Sequence, residues 1–521
     1  MEQRLRVRVI DPQSGNETYI FPNPGEYLLD AMIRLGIPIY GECGGRGTCG
    51  KCAVKVTEGD LNISLSDKNF FPADKLSQGY RLACRAYPER DCTVILAKEA
   101  SNAYKAVTEN FNDYKDLKDI NLISDIKENG YGIAIDLGTT TLVIALIDIK
   151  KGSILKKYSA ANPQRVYGAD VISRIKASDE GKGQALKALV CNGLFHGIET
   201  VVKAGQITIK DAEKIVISRN TTMIHLLMGY PCEGLGAFPF TPYKKGFIYT
   251  SSDELFDISE KVPVIILPAI SVFVGGDITA GLLACGFDTA KKPCLFIDLG
   301  TNGEMALGNK DRILVTSASA GPAFEGGNIS CGVGSIPGAI CHVDISDNRL
   351  CYETIDLKLP PIGLCGTGII ELTSQLLKEG IIDKTGLLTD EYFDRGYSID
   401  GISFTQEDIR NVQLAKAAIR AGIEILLRNY GISCEELERV YVAGGFGYNL
   451  DINKAADIGL IPRAALGKSV AAGNTALAGA VLASIDPKAK SRLEQIISAS
   501  EEIHLSDDRE FNDLFIEHIS F

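Results

Sequence analysis

Histidine is scarce: five residues (His196, His225, His342, His504 and His518) stand in a chain of 521. None lies in a zinc or nucleophile motif, and no hydrolase triad is legible. Long hydrophobic runs are missing as well. The longest apolar region, Val262–Gly276, is broken by Pro268 and ends at Gly275-Gly276-Asp277, short of the roughly 20 apolar residues a membrane helix needs. The start, Met1-Glu2-Gln3-Arg4-Leu5-Arg6, has no apolar core of the kind a signal peptide carries. The expectation is a cytoplasmic protein with no membrane partner. Positive charge is in deficit, with 54 Lys and Arg against 66 Asp and Glu and a net charge of −12. That balance argues against nucleic acid, whose phosphates call for a basic face. What remains is ordinary globular composition, 45% hydrophobic and 23% charged, in a length that suits two or three domains.

Cysteine is abundant, at 14 residues, yet only one Cys-x-x-Cys occurs, Cys49–Cys52. It belongs to the run Cys43-Gly44-Gly45-Arg46-Gly47-Thr48-Cys49-Gly50-Lys51-Cys52, and a remote Cys84 follows in Arg81-Leu82-Ala83-Cys84-Arg85. Two irons bridged by two sulfides need four thiolates, three from one wrapping loop and one from elsewhere. The glycines let the loop take positive φ and bring N–H groups close to sulfur. Cys43, Cys49, Cys52 and Cys84 are therefore the candidate ligands of a [2Fe–2S] cluster. Structural zinc is the competing reading, but zinc favours two paired Cys-x-x-Cys knuckles, and Cys84 has no such partner. The other ten cysteines lack ligand spacing and read as small buried hydrophobes, Cys92 being the one nearest the motif.

Around this motif, residues 1–97 read as a compact β-rich module. Leu5–Ile10 and Thr18–Phe21 alternate as strands, and Tyr27–Leu35 has helical spacing with Leu28, Ala31, Met32 and Leu35 on one face. Ala53–Thr57 and Thr93–Leu96 read as further strands. Residues 98–130, with interleaved charges, read as a linker or a small connecting helix. From 131 to 521 strands alternate with helical runs, of which Gln184–Val202, Ile369–Glu379 and Glu407–Tyr430 are the longest. Thr405-Gln406-Glu407-Asp408 is a capping signature for the last.

Two glycine turns repeat within this region. Asp136-Leu137-Gly138-Thr139-Thr140 lies between the β-rich runs Gly132–Leu137 and Leu142–Ile147. Asp298-Leu299-Gly300-Thr301-Asn302-Gly303-Glu304 lies between Cys294–Leu299 and Met305–Leu307. Strand, Asp-x-Gly-Thr turn, strand, occurring twice, predicts two related α/β halves, approximately 131–290 and 291–521. Backbone N–H groups at such turns approach phosphate, hydroxyls add donors, and the Asp can hold Mg²⁺ directly or through water. A third turn, Gly444-Gly445-Phe446-Gly447, ends the strand-like run Val440–Ala443. It lacks the Lys-Ser/Thr of a P-loop and suits close approach to adenosine or the α-phosphate. Glu304 is a candidate for orienting the attacking water, and Asp277 is either a second such candidate or a loop cap.

The N-terminal module resembles the β-grasp of plant-type and adrenodoxin-type ferredoxins. The three turns resemble those of acetate and sugar kinases, Hsp70 chaperones and actin, in which ATP lies between two RNase-H-like halves. Over essentially its whole length the chain resembles the reductive activators of corrinoid proteins. The runs Asn162-Pro163-Gln164, Asn220-Thr221-Thr222-Met223-Ile224-His225, Phe273-Val274-Gly275-Gly276-Asp277, Gly363-Leu364-Cys365-Gly366-Thr367-Gly368 and Gly473-Asn474-Thr475 carry that resemblance. Arg219 departs from it, standing where the family pattern has glycine before Asn220.

The resemblance implies a multidomain protein of mixed α/β and α+β class: a β-grasp ferredoxin-like domain, a linker and a duplicated ATPase domain. It implies a [2Fe–2S] cluster, ATP and Mg²⁺ as cofactors. The implied activity is ATP-dependent, one-electron reduction of Co(II) to Co(I) in a corrinoid protein of a methyltransferase system. An upstream electron donor and a homodimer are implied with it. Plant-type clusters have potentials of about −400 mV, and Co(II) corrinoids are harder than that to reduce to Co(I), so each 100 mV of the gap costs about 2.3 kcal/mol per electron. ATP can help only if its bound states discriminate between partner states. The alternatives are an ATP-dependent electron activator of another low-potential enzyme, and a redox-sensing actin-like ATPase.

Overall fold

The computed structural model describes residues 5–12, 15, 17–35, 37, 39, 45, 47–48, 50–97, 130–346, 349–356, 359–444 and 450–521. Apart from Gly130, the segment read as a linker lies outside the described residues, as do Cys43, Cys49, Gly445 and Gly447.

The first sheet has five strands, in the order Glu17–Ile20, Val7–Ile10, Cys92–Leu96, Ala53–Glu58, Tyr80–Leu82. Val7–Ile10 runs antiparallel to Glu17–Ile20 and parallel to Cys92–Leu96. Alternation decides its faces: Val7 and Val9 are buried, while Arg8 turns outward to an ion pair with Glu17. Helix Leu28–Arg34 buries Leu28, Leu29, Ala31 and Met32. Leu35, expected on that apolar face, is instead the C-cap and is exposed. The helix, the central parallel pair and the outer antiparallel strands make a β-grasp. Helix Leu65–Phe70 is too short for a periodic signal and is set by a capping box in which Ser64 and Asp67 exchange hydrogen bonds.

Two larger sheets follow, each of six strands. The first runs Ile248–Ser251, Pro263–Ile266, Ala212–Arg219, Tyr131–Leu137, Thr141–Asp148, Ser153–Ala161. The second runs Ser469–Gly473, Arg439–Ala443, Cys294–Leu299, Gly303–Gly308, Ile313–Ala318, Ser500–Glu502. In each, three consecutive antiparallel strands are extended by two parallel ones that return after helices. The shared order is the RNase-H-like duplication, and the two glycine turns occupy the same hairpin position in both.

Helix Gly183–Ala204 covers one face of the first sheet and buries Leu186, Val190, Leu194, Ile198 and Val201. The wider helical run Val171–Ala204 is long and apolar enough to cross a membrane by length and composition, but the apolar face of its longer part, Gly183–Ala204, packs on the sheet. In the second half, helix Gln406–Tyr430 begins at the expected capping box, with Thr405 and Asp408 exchanging hydrogen bonds.

A separate apolar core joins the halves. It brings Ala134 and Val216 of the first sheet and Phe296 and Val315 of the second against Ile278, Leu282, Leu477 and Val481. Those last four lie on helices Gly276–Ala284 and Thr475–Ile485, which cross closely enough that a Cβ on Gly479 would meet the Ala280 carbonyl at 2.1 Å. This crossing brings Asn474, at the start of the second helix, to Asp136 on strand Tyr131–Leu137.

Candidate functional site

The cluster motif is built on the edge of the first sheet. Cys52 immediately precedes strand Ala53–Glu58, and Cys84 follows strand Tyr80–Leu82. Their antiparallel register pairs Ala53 with Leu82, and the Ala83 N–H donates to the Cys52 carbonyl at 3.0 Å. Two of the four candidate thiols are thereby brought side by side, both buried. Gly50, at φ +70°, presses against Phe70, so that a Cβ there would lie 1.9 Å from the ring. Gly47, at φ +77°, would meet Ser66 at 2.7 Å. Gly47 and Gly50 in left-handed turns against helix Leu65–Phe70, with Cys52 and Cys84 buried beside them, fit a cluster whose sulfurs need close backbone N–H groups. Cys92 lies within its strand, where burial pushes its thiol up to about 11.

The second candidate region is the cleft between the halves. Each glycine turn closes on itself: Gly138 N–H donates to Thr141 at 2.9 Å, and Gly300 N–H to Asn302 at 3.0 Å. Gly303 begins the outgoing strand of the second turn. Gly444, at φ +125°, lies against this turn, where a Cβ would come within 2.5 Å of the Leu299 carbonyl. The Asn220 amide donates to the Thr139 hydroxyl at 2.8 Å and so braces the first turn.

Carboxylates converge here. Burial pushes Asp136 up to about 7, with the Asn474 hydrogen bond pulling it down and the charge of Asp277 pushing it further up. Burial also lifts Asp298 to about 8, helped by Asp277, Asp136 and Glu325. Glu304 is raised well above the usual range by burial and then by Asp277 and Asp298, while the Asn302 amide donates to it at 3.5 Å. Asp277 is raised by burial, although its carboxylate accepts the Ile278 N–H at 2.9 Å and feels the positive charge of Arg219. These four carboxyls are thus held against their own ionisation, by burial first and then by one another's charge.

Three family models match the chain: a 2Fe-2S iron-sulfur cluster binding domain over residues 12–89, the RACo middle region over 131–290, and the C-terminal ASKHA domain of RACo over 292–521. The corrinoid activation enzyme RamQ of Eubacterium limosum is 31% identical, over 94% of this chain and 95% of the relative. The [Co(II) methylated amine-specific corrinoid protein] reductase of Methanosarcina barkeri is 29% identical, over 75% of this chain and 77% of the relative. Among solved structures, a reductive activator for corrinoid, iron-sulfur protein superposes with a TM-score of 0.69 at 29% identity, covering 99% of this chain and 98% of the other. The chain belongs to the RACo family of corrinoid activators. The family supplies a [2Fe–2S] cluster domain and an ATP-binding ASKHA domain, the combination that the two regions above accommodate.

In this activator the cluster domain rests against the first ATPase half. Asp30, on helix Leu28–Arg34, accepts from the Tyr167 hydroxyl and from the Lys182 ammonium, each at 3.1 Å. Sequence reasoning missed that contact. It also missed Glu325, on the short turn Pro322–Glu325, whose only sequence signal is a Glu followed by Gly326-Gly327. Glu325 accepts the hydroxyl of Thr301 at 2.5 Å. Asn474 of the run Gly473-Asn474-Thr475 donates its amide to Asp136 at 2.7 Å, a contact that local sequence does not signal. Arg219 is fully buried, its guanidinium has no hydrogen-bond partner among the described residues, and burial lowers it to about 10. The guanidinium lies against the start of helix Gly276–Ala284, where a Cβ at 276 would meet the Leu267 carbonyl at 2.8 Å and the guanidinium at 3.0 Å. His225 bonds the Thr221 carbonyl and the Tyr243 N–H, so both ring nitrogens are satisfied within the fold.

Proposed function

We propose that this chain uses ATP to drive one-electron reduction of a Co(II) corrinoid protein to the Co(I) state, within a methyltransferase system. The reading is carried by a cluster domain and a two-halved nucleotide cleft joined in one chain that aligns nearly end to end with a corrinoid activation enzyme. When bound through Cys43, Cys49, Cys52 and Cys84, a [2Fe–2S] cluster supplies single electrons at low potential. An upstream donor reloads it, and the chain works in the cytoplasm, as a homodimer in the reading the resemblance gives.

The cleft residues take separate roles. Gly138, Thr139 and Thr140 of one half and Gly300, Thr301, Asn302 and Gly303 of the other offer N–H and hydroxyl donors to phosphate oxygens. Gly444, with Gly445 and Gly447, gives close backbone approach to the adenosine side. Asp136 and Asp298 hold Mg²⁺, through water where the reach is long. Glu304 orients the hydrolytic water, with Asp277 supporting it electrostatically. ATP binding and release then bias the two halves between closed and open arrangements. Only a difference in partner affinity between those arrangements can drive the uphill electron.

The test mixes the iron-reconstituted, reduced protein with a Co(II) corrinoid protein, with and without Mg-ATP, and follows the visible spectrum. Co(I) forming with ATP and not without it is the expected result. Co(I) forming equally in both would sink the coupling, and a panel of corrinoid partners all remaining Co(II) would sink the activator reading.

A further inference from the structure

A run of hydrogen bonds leads from the first glycine turn to the segment that carries Cys84. It begins at Asn162, which is fully buried. The Asn162 backbone N–H donates to the Thr140 carbonyl at 2.8 Å, and its side-chain amide donates to the Gly138 carbonyl at 2.9 Å. Its amide oxygen accepts the Gln164 N–H at 3.0 Å and so starts the short helix Pro163–Tyr167. Pro163 opens that helix with a fixed φ. Gln164 is buried and donates to the Leu186 carbonyl at 3.0 Å, and a Cβ on Gly193 would come 2.9 Å from the Pro163 ring. The helix is thereby seated firmly on helix Gly183–Ala204.

At its far end the Tyr167 hydroxyl crosses to the cluster domain, donating to Asp30 at 3.1 Å. Asp30 stands in the first turn of helix Leu28–Arg34. The two residues before it hold the segment around Cys84: the Leu29 N–H donates to the Ala83 carbonyl at 3.0 Å, and the Leu28 N–H to the Ala86 carbonyl at 2.8 Å. Cys84 lies between those two residues in sequence. Hydrogen bonds to sulfur help set a cluster's potential, so the seating of this segment bears on the cluster that Cys84 would hold.

The glycine turn gives the path a lever. A peptide unit is planar and trans, so the Gly138 carbonyl and the Thr139 N–H turn together. Turning that N–H toward a phosphate oxygen moves the carbonyl that Asn162 holds. We propose that the strut Asn162–Tyr167, joined to Asp30, couples nucleotide binding at the first glycine turn to the oxidation state of the cluster. This rests on the nucleotide and cluster readings above and adds the route between them. Tyr167 and Asp30 are positioning residues, acting through Asn162 at one end and Ala83 at the other. Such coupling is reciprocal: if nucleotide favours one oxidation state by some factor, that state binds nucleotide more tightly by the same factor.

The experiment is calorimetric titration of the full-length, cluster-loaded protein with a non-hydrolysable Mg-ATP analogue, once with the cluster oxidised and once after anaerobic reduction by dithionite. In wild type the two affinities should differ by about fivefold or more. In Tyr167→Phe, which keeps the buried ring, and in Asp30→Ala, that ratio should fall to near one while the visible spectrum of the oxidised cluster stays the same. A ratio near one in wild type overturns the coupling and leaves the nucleotide reading intact. So does a ratio that persists in either variant, as direct charge repulsion through space would give. Failure of wild type to bind any adenine nucleotide in either oxidation state overturns the nucleotide reading, and the coupling with it.

Discussion

The Asn474 amide donates to the Asp136 carboxylate at 2.7 Å, across a sequence separation of 338 residues. The same Asn474 side chain accepts the Leu477 N–H and so caps helix Thr475–Ile485. One residue therefore starts a helix of one half and holds the leading carboxylate of the other.

Those two roles can be separated by substitution. Asn474→Ala removes both and should cost about 1–2 kcal/mol of stability, mostly from the lost cap. Asn474→Ser restores a cap acceptor but is too short to reach Asp136. Its stability should lie within about 0.5 kcal/mol of wild type. Because the amide pulls the Asp136 carboxyl down, both variants should hydrolyse ATP more slowly and shift the rising limb of the pH profile to higher pH. Steady-state hydrolysis across pH, beside thermal unfolding, checks this. An unshifted profile in Asn474→Ser would remove Asp136 from the catalytic cleft.

The raised carboxyls also make a stability prediction with a definite sign. Folded Asp136 and Asp298 titrate at about 7 and about 8, whereas an unfolded Asp titrates near 3.9. Between those values the folded protein holds protons that the unfolded chain has released. Stability is therefore full below about pH 4 as far as these groups are concerned, and is lost as pH rises through the folded values. The ligand-free protein should melt at progressively lower temperature from about pH 6 to about pH 8.5, and Mg²⁺ with ATP should flatten that slope by favouring the ionised carboxylates. Scanning calorimetry with and without Mg-ATP measures it; a melting temperature that climbs with pH in the ligand-free protein contradicts the raised carboxyls.

Much of this architecture was legible because it is local. Asp-x-Gly-Thr between two β-rich runs gives a hairpin turn wherever it occurs, and its recurrence gave the duplication. The Thr405–Asp408 capping box likewise declared its helix. What was not legible is what the chain assembles from distance. Glu325 looks like any acidic loop residue until the fold sets it against Thr301 of the second glycine turn. Arg219 looked like a local departure in a turn, but its side chain is buried and reaches the start of helix Gly276–Ala284. Leu35 had the right spacing for the buried face, yet the helix ends before it, so the last turn leaves it in solvent. Periodicity reports which face a residue occupies, and not whether the element still has a neighbour there.

Contact between the cluster domain and the first ATPase half depends on Asp30. Its ion pair with Lys182 is partly exposed and is worth about 0–1 kcal/mol, but the Tyr167 hydroxyl that it also accepts belongs to a buried side chain. Asp30→Ala should leave the cluster spectrum unchanged and alter overall stability by less than about 2 kcal/mol. Hydrogen exchange should quicken at Leu28–Arg34 and at Pro163–Tyr167 together, since they form the two sides of the contact. Faster exchange in only one of them would mean that the contact does not hold the domains in solution.

Gly50 offers a test of the cluster cradle that leaves every cysteine in place. At φ +70° its conformation costs a non-glycine residue about 1–2 kcal/mol. A Cβ there would also lie 1.9 Å from the Phe70 ring, which packs edge-on against Phe71 at 5.0 Å between centroids. Gly50→Ala should therefore push Phe70 away, open the loop between Cys49 and Cys52, and lower both iron content and visible absorption after reconstitution. Phe70→Ala relieves the steric term and leaves the backbone term, so the double variant should recover part of the iron and not all of it. ATP binding, which depends on the distant cleft, should be the same in all three proteins. Full iron loading in Gly50→Ala would mean that the loop carrying the cluster is not held beneath Phe70.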